Sequence, residues 1–409
     1  MKLPAPSEQL ETFEIEFDHG YPLIRGGTEH PIIGPYVIAD YLARGLVRES
    51  EVVARAAIKR MDDFRFYYSI NGRPAPSRNH DPHYSGLTQA RYLDAFSMLA
   101  EATGKKVWKD AARRTFETLT IDVDQGGVLL DGEIILETPM PNASDIVLNG
   151  WLTAAVHVCE YARHEPAAVE LAEKTCAALE RLLPFFDVPE VANSRYASCG
   201  PGSFRLVFSD RCHLAGAWIE RAKHPRFAAS RIEPGSDIGG KWRDGIAWSS
   251  LTVAELNLVL DSLARAETLE LSIWADRPAS VALQYEHADY HPGCAAPPHG
   301  RFLEVGSDIF KRGENRISLP IPREIARELA YPTNFLKDGK RNAYHWIHVE
   351  RLKQLHALTG SDVFADFAAT WEEYTRAWPS MEVYADYCLE PAEGILFGDC
   401  PKHWETACA

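Results

Sequence analysis

Several kinds of chemistry are missing from this chain of 409 residues. None of its eight cysteines (Cys159, Cys176, Cys199, Cys212, Cys294, Cys388, Cys400, Cys408) forms a C-x-x-C pair, so cysteine-based zinc or thiol–disulfide chemistry is not expected. No continuous apolar run reaches the roughly 18 residues that a membrane helix needs. The opening MKLPAPSEQLETFEIEF has no apolar core of the signal-peptide kind. The expectation is a cytoplasmic protein with reduced thiols. Positive charge is scarce as well: 43 Lys and Arg against 58 Asp and Glu give a formal net charge of −15. Nucleic acids and anionic membranes call for a basic footprint, so neither is an expected partner. An acidic ligand would have to be held by a few local cations.

What is present is 46% hydrophobic residues, enough for a large core, arranged largely in helical pairs. In YSGLTQARYLDAFSMLAEATGKKVWKDAARRTFETL, from Tyr84, apolar residues recur at helical spacing through Leu87, Leu93, Phe96 and Leu99, break at Thr103-Gly104, and resume at Val107, Ala111 and Phe116. YHWIHVERLKQLHALTGSDVFADFAATWEEYTRAW, from Tyr344, repeats the pattern around Thr359-Gly360. A third pair runs from about Ser144 to Phe186, with Pro166 opening its second helix, and a weaker fourth starts near Gly34. Repeated hairpins bury their faces by stacking, and four of them predict an α/α barrel. Between them, FRLVF, TLELSIWA, SVALQYEH, RFLEVG and NRISLPI alternate like strands, separated by Gly and Pro clusters. The predicted fold is therefore mainly α with an inserted β module: an α/α barrel of helical hairpins plus a β-sandwich-like segment. Residues 1–200 would form the first part of the barrel, 201–340 the β-rich inserted module and 341–409 the C-terminal part of the barrel.

Three segments that enter or leave helices carry the side chains of chemical interest. RNAYHWIH sets Arg341, Tyr344, His345 and His348 at a helix start; LETPMPNASDIVLNGW places Glu137 ahead of another; FFDVPEVANSRYASCG presents Arg195 and Tyr196 after a helix ends. Trp346, Trp151 and Tyr92 read as packing residues. His345 and His348 share a helical face as a metal pair would, but no third ligand has a familiar spacing, so no metal is expected. His80, Asp81 and His83 read equally well as solvated loop or groove rim, and KKVWKDAARR as the solvated face of an outer helix. Ser198 lies in SCGPG, which lacks the G-x-S-x-G elbow of a hydrolase.

The tail from Arg341 to Trp378 resembles the carboxy-terminal end of the D-glucuronyl 5-epimerases, which convert glucuronate to iduronate in heparan-type chains and carry there Arg, two residues, then Tyr-His-x-x-His. HYSGLTQA resembles their Tyr-Ser-x-x-x-Gln helix entry. Glu137 followed by IVLNGW resembles their Glu and Val-Leu-Asn-Gly block. LERLLPFFD followed by Tyr196 resembles the stretch that leads to a catalytic tyrosine. The matches stand in the family's order, over roughly residues 84–200 and 341–378, and point to a bacterial-type member. The resemblance implies that Tyr344 and Tyr196 are catalytic with Glu137. It also implies that Tyr84, Gln89, Asn149, Arg341 and His345 touch sugar or support the site. It implies no cofactor, an acidic polysaccharide as partner and, as in the animal relatives, a homodimer. Two departures from the pattern stand out. Thr138 follows Glu137 where the animal enzymes have tyrosine, and Ala197-Ser198-Cys199-Gly200 follow Tyr196 where the family has Asp-Leu-Arg-His. The carboxylate-binding arginine is thus absent from its place, and Arg195, Arg205 and Arg91 are the candidates to replace it.

The chemistry agrees with that resemblance. The hydrogen on carbon 5 of a uronate is α to a carboxylate, so its removal needs a base, an acid on the other face and positive charge to offset the enolate. Tyr344, Tyr196 and Glu137 can move protons; Arg341, His345 and His348 can carry charge. A free phenol titrates near about pH 10, so a nearby cation is needed to make its anion accessible. Two other functions fit the same residues: a polysaccharide lyase, which shares the carbanion, and a noncatalytic carbohydrate-binding protein. A glycoside hydrolase would need a second carboxylate beside Glu137, for which Asp145 is the nearest candidate.

Overall fold

The computed structural model describes the chain apart from residues 1–2, 8–9, 11–13, 25–26, 28, 68, 71–72, 75–83, 138, 140–145, 222–241, 244–245, 248–249, 264–266, 288–300, 330–342 and 385–409. Two compact units emerge: Met1–Pro141 with Asp145–Tyr196 and Thr333–Ala409, and Ala197–Pro332 with Asn142–Ser144. Of the sequence-derived candidates, Arg341, Asp145, His80, Asp81 and His83 lie outside the described residues.

The first unit opens with the hairpin β1 (Glu16–Asp18) and β2 (Tyr21–Leu23), followed by α1 (Ile33–Ala43) and α2 (Val47–Ile58). After the short pair β3 (Ser69–Ile70) and β4 (Arg73–Pro74) come α3 (Gly86–Thr103) and α4 (Lys106–Leu119). The Ser85 hydroxyl accepts from Thr88 N at the start of α3, and Gly104 ends it at φ +67°, a left-handed conformation that costs glycine nothing. A second hairpin, β5 (Leu129–Leu130) and β6 (Ile134–Ile135), leads to α5 (Leu148–Ala162) and α6 (Val169–Phe186). A third, β7 (Asp187–Val188) and β8 (Asn193–Ser194), closes this stretch.

The second unit holds β9 (Cys199–Arg221), the short pair β10 (Trp242–Arg243) and β11 (Ile246–Ala247), then β12 (Ser250–Asp261), β13 (Glu267–Ala275), β14 (Ala279–Glu286), β15 (Phe302–Phe310), β16 (Gly313–Ile321) and α7 (Arg323–Leu329). The chain then returns to the first unit with α8 (Ala343–Thr359) and α9 (Asp362–Ala377). Gly360 ends α8 at φ +73°, as Gly104 ends α3.

The α/α barrel and the β-sandwich-like segment are both corrected by this architecture, which is mixed α and β. Helices pair as the sequence pattern indicates, and α1, α3, α5 and α8 pack in series, but α8 has no comparable packing against α1. Among the described residues, this series does not close into a ring of inner helices. The strands form one six-stranded antiparallel sheet in place of two facing layers. Both β14 and β13 pair with β9, end to end along its length, and β15 and β16 flank them in the same way. Register shifts at Leu251/Val253, Ser272/Ile273 and Leu283/Gln284 bend these long ribbons. One face alternates inward through Leu206, Phe208, Leu256, Leu271, Val281, Leu283 and Leu319, and the curled sheet buries that face against itself and α7. Alternation reveals that a strand has one apolar face; it does not reveal whether that face meets a second sheet or a bend of its own.

Candidate functional site

The site is assembled where helix entries of the first unit converge. Glu137 follows β6, and this segment is seated by two glycines. Gly86 N donates to Leu136 O at 3.0 Å, and a Cβ at 86 would stand only 2.5 Å from that oxygen. A Cβ at Gly150 would lie 2.8 Å from Glu137 Cβ and closer still to its Oε2. The glycine of the VLNGW block is thus the residue that admits Glu137 to the first turn of α5, where the helix dipole favours a carboxylate.

Tyr196 is fastened to the same turn. Its carbonyl accepts from Leu148 N at 2.9 Å, satisfying one of the orphan donors that begin α5. Tyr344 comes from the first turn of α8, is 7% exposed, and meets Tyr196 edge-to-face with ring centroids 4.7 Å apart at 63°. Two tyrosines distant in sequence therefore share one contact.

His345 and His348 do not provide positive charge. His345 Nε2 donates to Trp371 O at 2.8 Å, and its Nδ1 lies 2.8 Å from Ser194 Oγ, which also lies 2.8 Å from His348 Nδ1. Both rings are fully buried; burial pushes His345 down to about 4, against the opposing pull of the Trp371 carbonyl, and burial with the neighbouring His345 pushes His348 well below the ordinary histidine range. At neutral pH they are uncharged hydrogen-bonding groups.

Positive charge comes from two buried arginines. Arg91 of α3, 7% exposed, lies with its guanidinium 4.7 Å from the Tyr36 ring centroid. Burial lowers its pKa, opposed by Tyr36, Asp94 and Glu137, which places it in the electrostatic reach of the site. Arg351 of α8, 4% exposed, is lowered to about 9 by burial and then by Arg91. Arg91 feels the Glu137 carboxylate, whereas the Arg351 guanidinium donates to Gln354 Oε1 at 2.6 Å, one turn further along α8, and acts on the site through Arg91. Asp94, His157 and Glu160 offer ligand atoms within 4.8 Å of one another, the arrangement among the described residues that could hold a metal. Arg91 and Arg351 act on the same Asp94 carboxyl, and His157 Nδ1 is 3.1 Å from Glu160 Oε2, so the cluster is an ion-pair network already supplied with cations.

The other sequence-derived residues divide by what they have left to offer. Tyr84 donates to Thr118 O at 2.8 Å, and Gln89 accepts from Phe66 N while donating to Phe64 O and Thr118 Oγ1, so both brace the entry to α3. Arg195 Nε donates to Phe185 O at 3.2 Å, turning toward the end of α6. Arg205 lies in the sheet, bonded to Gln284 and stacked over Phe302 at 3.9 Å. Asn149 Oδ1, in the first turn of α5, is buried and has no hydrogen-bond partner among the described residues, so it can accept from a ligand. Arg351, Ser194 and Tyr36 were not singled out in the sequence. Arg351 is discoverable there, because it follows Tyr344 by two helical turns on the same face; Ser194 and Tyr36 carry no such signal.

No curated protein matches the chain. Tyr84, Gln89, Arg91, Glu137, Asn149, Arg195 and Tyr196 all fall within a segment that a family model does match, whereas α8 with Tyr344 lies beyond it. Residues 60–199 match the family described as D-glucuronyl C5-epimerase C-terminus, and over this segment the chain is similar to that family.

Proposed function

We propose that this protein inverts carbon 5 of D-glucuronate to give L-iduronate within a heparosan-like polysaccharide, by proton transfer without a cofactor. The observation that carries the reading is the contact between Tyr196 and Tyr344, with Glu137 and Tyr196 both attached to the first turn of α5. One group of this set removes the hydrogen on carbon 5, and another delivers a proton to the opposite face of the planar enolate. The enolate carries two negative charges beside each other, and removing a proton from such a carbon is feasible only where fixed positive charge offsets them. Arg91, which interacts electrostatically with Glu137, supports that role, with Arg351 behind it. The same field favours the phenolate form of a tyrosine over its neutral form. Asn149 Oδ1 can accept from a sugar hydroxyl. A homodimer and an acidic polysaccharide partner belong to the same proposal.

The test is incubation of glucuronate polymers, with and without sulfate, in heavy water. Deuterium should enter carbon 5 and iduronate signals should appear without chain shortening. Iduronate without deuterium would contradict proton exchange. Cleavage with an unsaturated, ultraviolet-absorbing uronate would assign the protein to the lyases, which use the same carbanion.

A further inference from the structure

We propose that Ser194 is a positioning residue: through one directed chain of hydrogen bonds it locks the tautomers of His345 and His348 and holds the segment leading to Tyr196 against the helix start that carries Tyr344. The lock itself follows from geometry; its catalytic consequence rests on the epimerase reading.

Proton counting gives the direction. A carbonyl oxygen can only accept, so the 2.8 Å contact of His345 Nε2 with Trp371 O needs the ring proton on Nε2. The buried ring is neutral, so Nδ1 presents a lone pair. Ser194 Oγ stands 2.8 Å from that lone pair, and two lone pairs at this distance would repel, so the hydroxyl proton points to His345. The Ser194 main-chain N–H is shared between Asn193 Oδ1 at 2.9 Å and the same His345 nitrogen at 3.2 Å, which again requires a lone pair on Nδ1, but it does not lie between Oγ and Nδ1 and so does not relieve that contact. With its proton committed, Oγ can only accept from His348 Nδ1, again at 2.8 Å, which fixes the His348 proton on Nδ1. The chain reads His348 Nδ1–H to Ser194 Oγ–H to His345 Nδ1, then His345 Nε2–H to Trp371 O. The reverse orientation of the hydroxyl would leave the His345 contact without a proton. One consequence is visible in the structure: His348 Nε2 becomes a bare acceptor, and it is buried with no hydrogen-bond partner among the described residues.

The placement makes the chain mechanical. Ser194 and His345 are 151 positions apart, yet Ser194 stands two residues before Tyr196 and His345 directly follows Tyr344. The two hydrogen bonds of the Ser194 hydroxyl, with the one from its main-chain N–H to His345, therefore set the spacing on which the tyrosine contact depends.

Long-range proton–nitrogen correlation spectra of the 15N-histidine-labelled protein read the tautomers directly. His345 is expected with its proton on Nε2 and His348 with its proton on Nδ1. In Ser194→Ala the His348 proton should lose its fixed position. Turnover, followed by deuterium entry at carbon 5, should fall about a hundredfold with little change in KM, the size of effect that a misplacement of about 1 Å produces. Ser194→Thr, which keeps the hydroxyl, should restore both. Ser194→Cys, nearly isosteric but a weak donor, serves the same purpose should the alanine variant not fold. A wild-type His348 protonated on Nε2, or tautomers unmoved by the substitutions, would overturn the lock. Tautomers as expected with undiminished turnover in the variants would overturn the positioning role. A wild-type protein that exchanges no deuterium would remove the epimerase reading and with it the catalytic role, while the spectra alone decide the lock.

Discussion

At the scale of single residues the two tyrosines carry the strongest expectation. Tyr344→Phe and Tyr196→Phe each delete one hydroxyl and keep the ring, so the edge-to-face packing at 4.7 Å survives. Proton transfer should fall about a hundredfold or more in each variant, the ordinary worth of a general acid or base, with thermal stability nearly unchanged. Near wild-type turnover in either variant would remove that tyrosine from the mechanism. Arg351 tests the charge argument. Arg351→Met removes a buried charge that acts on Arg91 and should lower kcat/KM by about tenfold, which corresponds to roughly 1.4 kcal/mol. Folding should be retained, because the substitution removes one of two buried cations that disfavour each other. An unchanged kcat/KM would show that the site does not use this field. Tyr344, Tyr196 and Glu137 were legible in the sequence because they stand in helix-entry motifs. Arg351 shares a helical face with Tyr344 two turns away, but an arginine within a helix reads as a solvated face until its neighbours are known, so its burial was not legible. The histidines were legible as site residues but not as neutral ones, because their charge is decided by burial.

At the scale of elements, α5 organises the site: its first turn receives the Glu137 carboxylate and donates Leu148 N to Tyr196 O at 2.9 Å. Gly150→Ala separates the function of this turn from its stability. In an unconstrained helix the change would stabilise by about 1 kcal/mol. Here the new methyl would meet Glu137 Cβ at 2.8 Å and displace the side chain. Activity should drop at least about tenfold, as expected when a reacting group is moved, while the unfolding midpoint shifts little. Full activity in a folded Gly150→Ala protein would mean that the position of Glu137 does not matter. The hairpin boundaries, with Gly104 and Gly360 ending α3 and α8, were visible as Thr-Gly breaks because helix termination is a local property. Closure of the helical series was not, because whether α8 reaches α1 depends on crossing angles that no single hairpin encodes.

At the scale of the whole molecule, buried neutral histidines make stability depend on acid. His30 and His345 are both pushed down to about 4 by burial, and His348 is pushed lower than the ordinary range. In each case the folded pKa lies below the unfolded value near 6.5, so the unfolded chain takes up protons first. Stability should therefore be full above about pH 6.5 and be lost as pH falls toward 4, by about 2 kcal/mol per histidine at pH 5. Urea unfolding at pH 7.5 and pH 5 measures this, and an unchanged midpoint would contradict the buried, neutral assignment. Among the described residues no helix is long and apolar enough to cross a membrane.

The sequence by itself determined what local physics controls: the paired helices, the alternating strands, the acidic balance and the chemical identity of the site residues. Only the tertiary structure decided which of them meet. It brought Tyr196 to Tyr344, put Ser194 between two histidines, and buried Arg91 and Arg351 on helices that the chain reaches far apart. It also curled one sheet where two were expected. The physical reason is common to all of these. Periodicity and capping depend on residues within a few positions of each other, whereas protonation states, charge fields and the closure of layers depend on neighbours that the fold alone supplies.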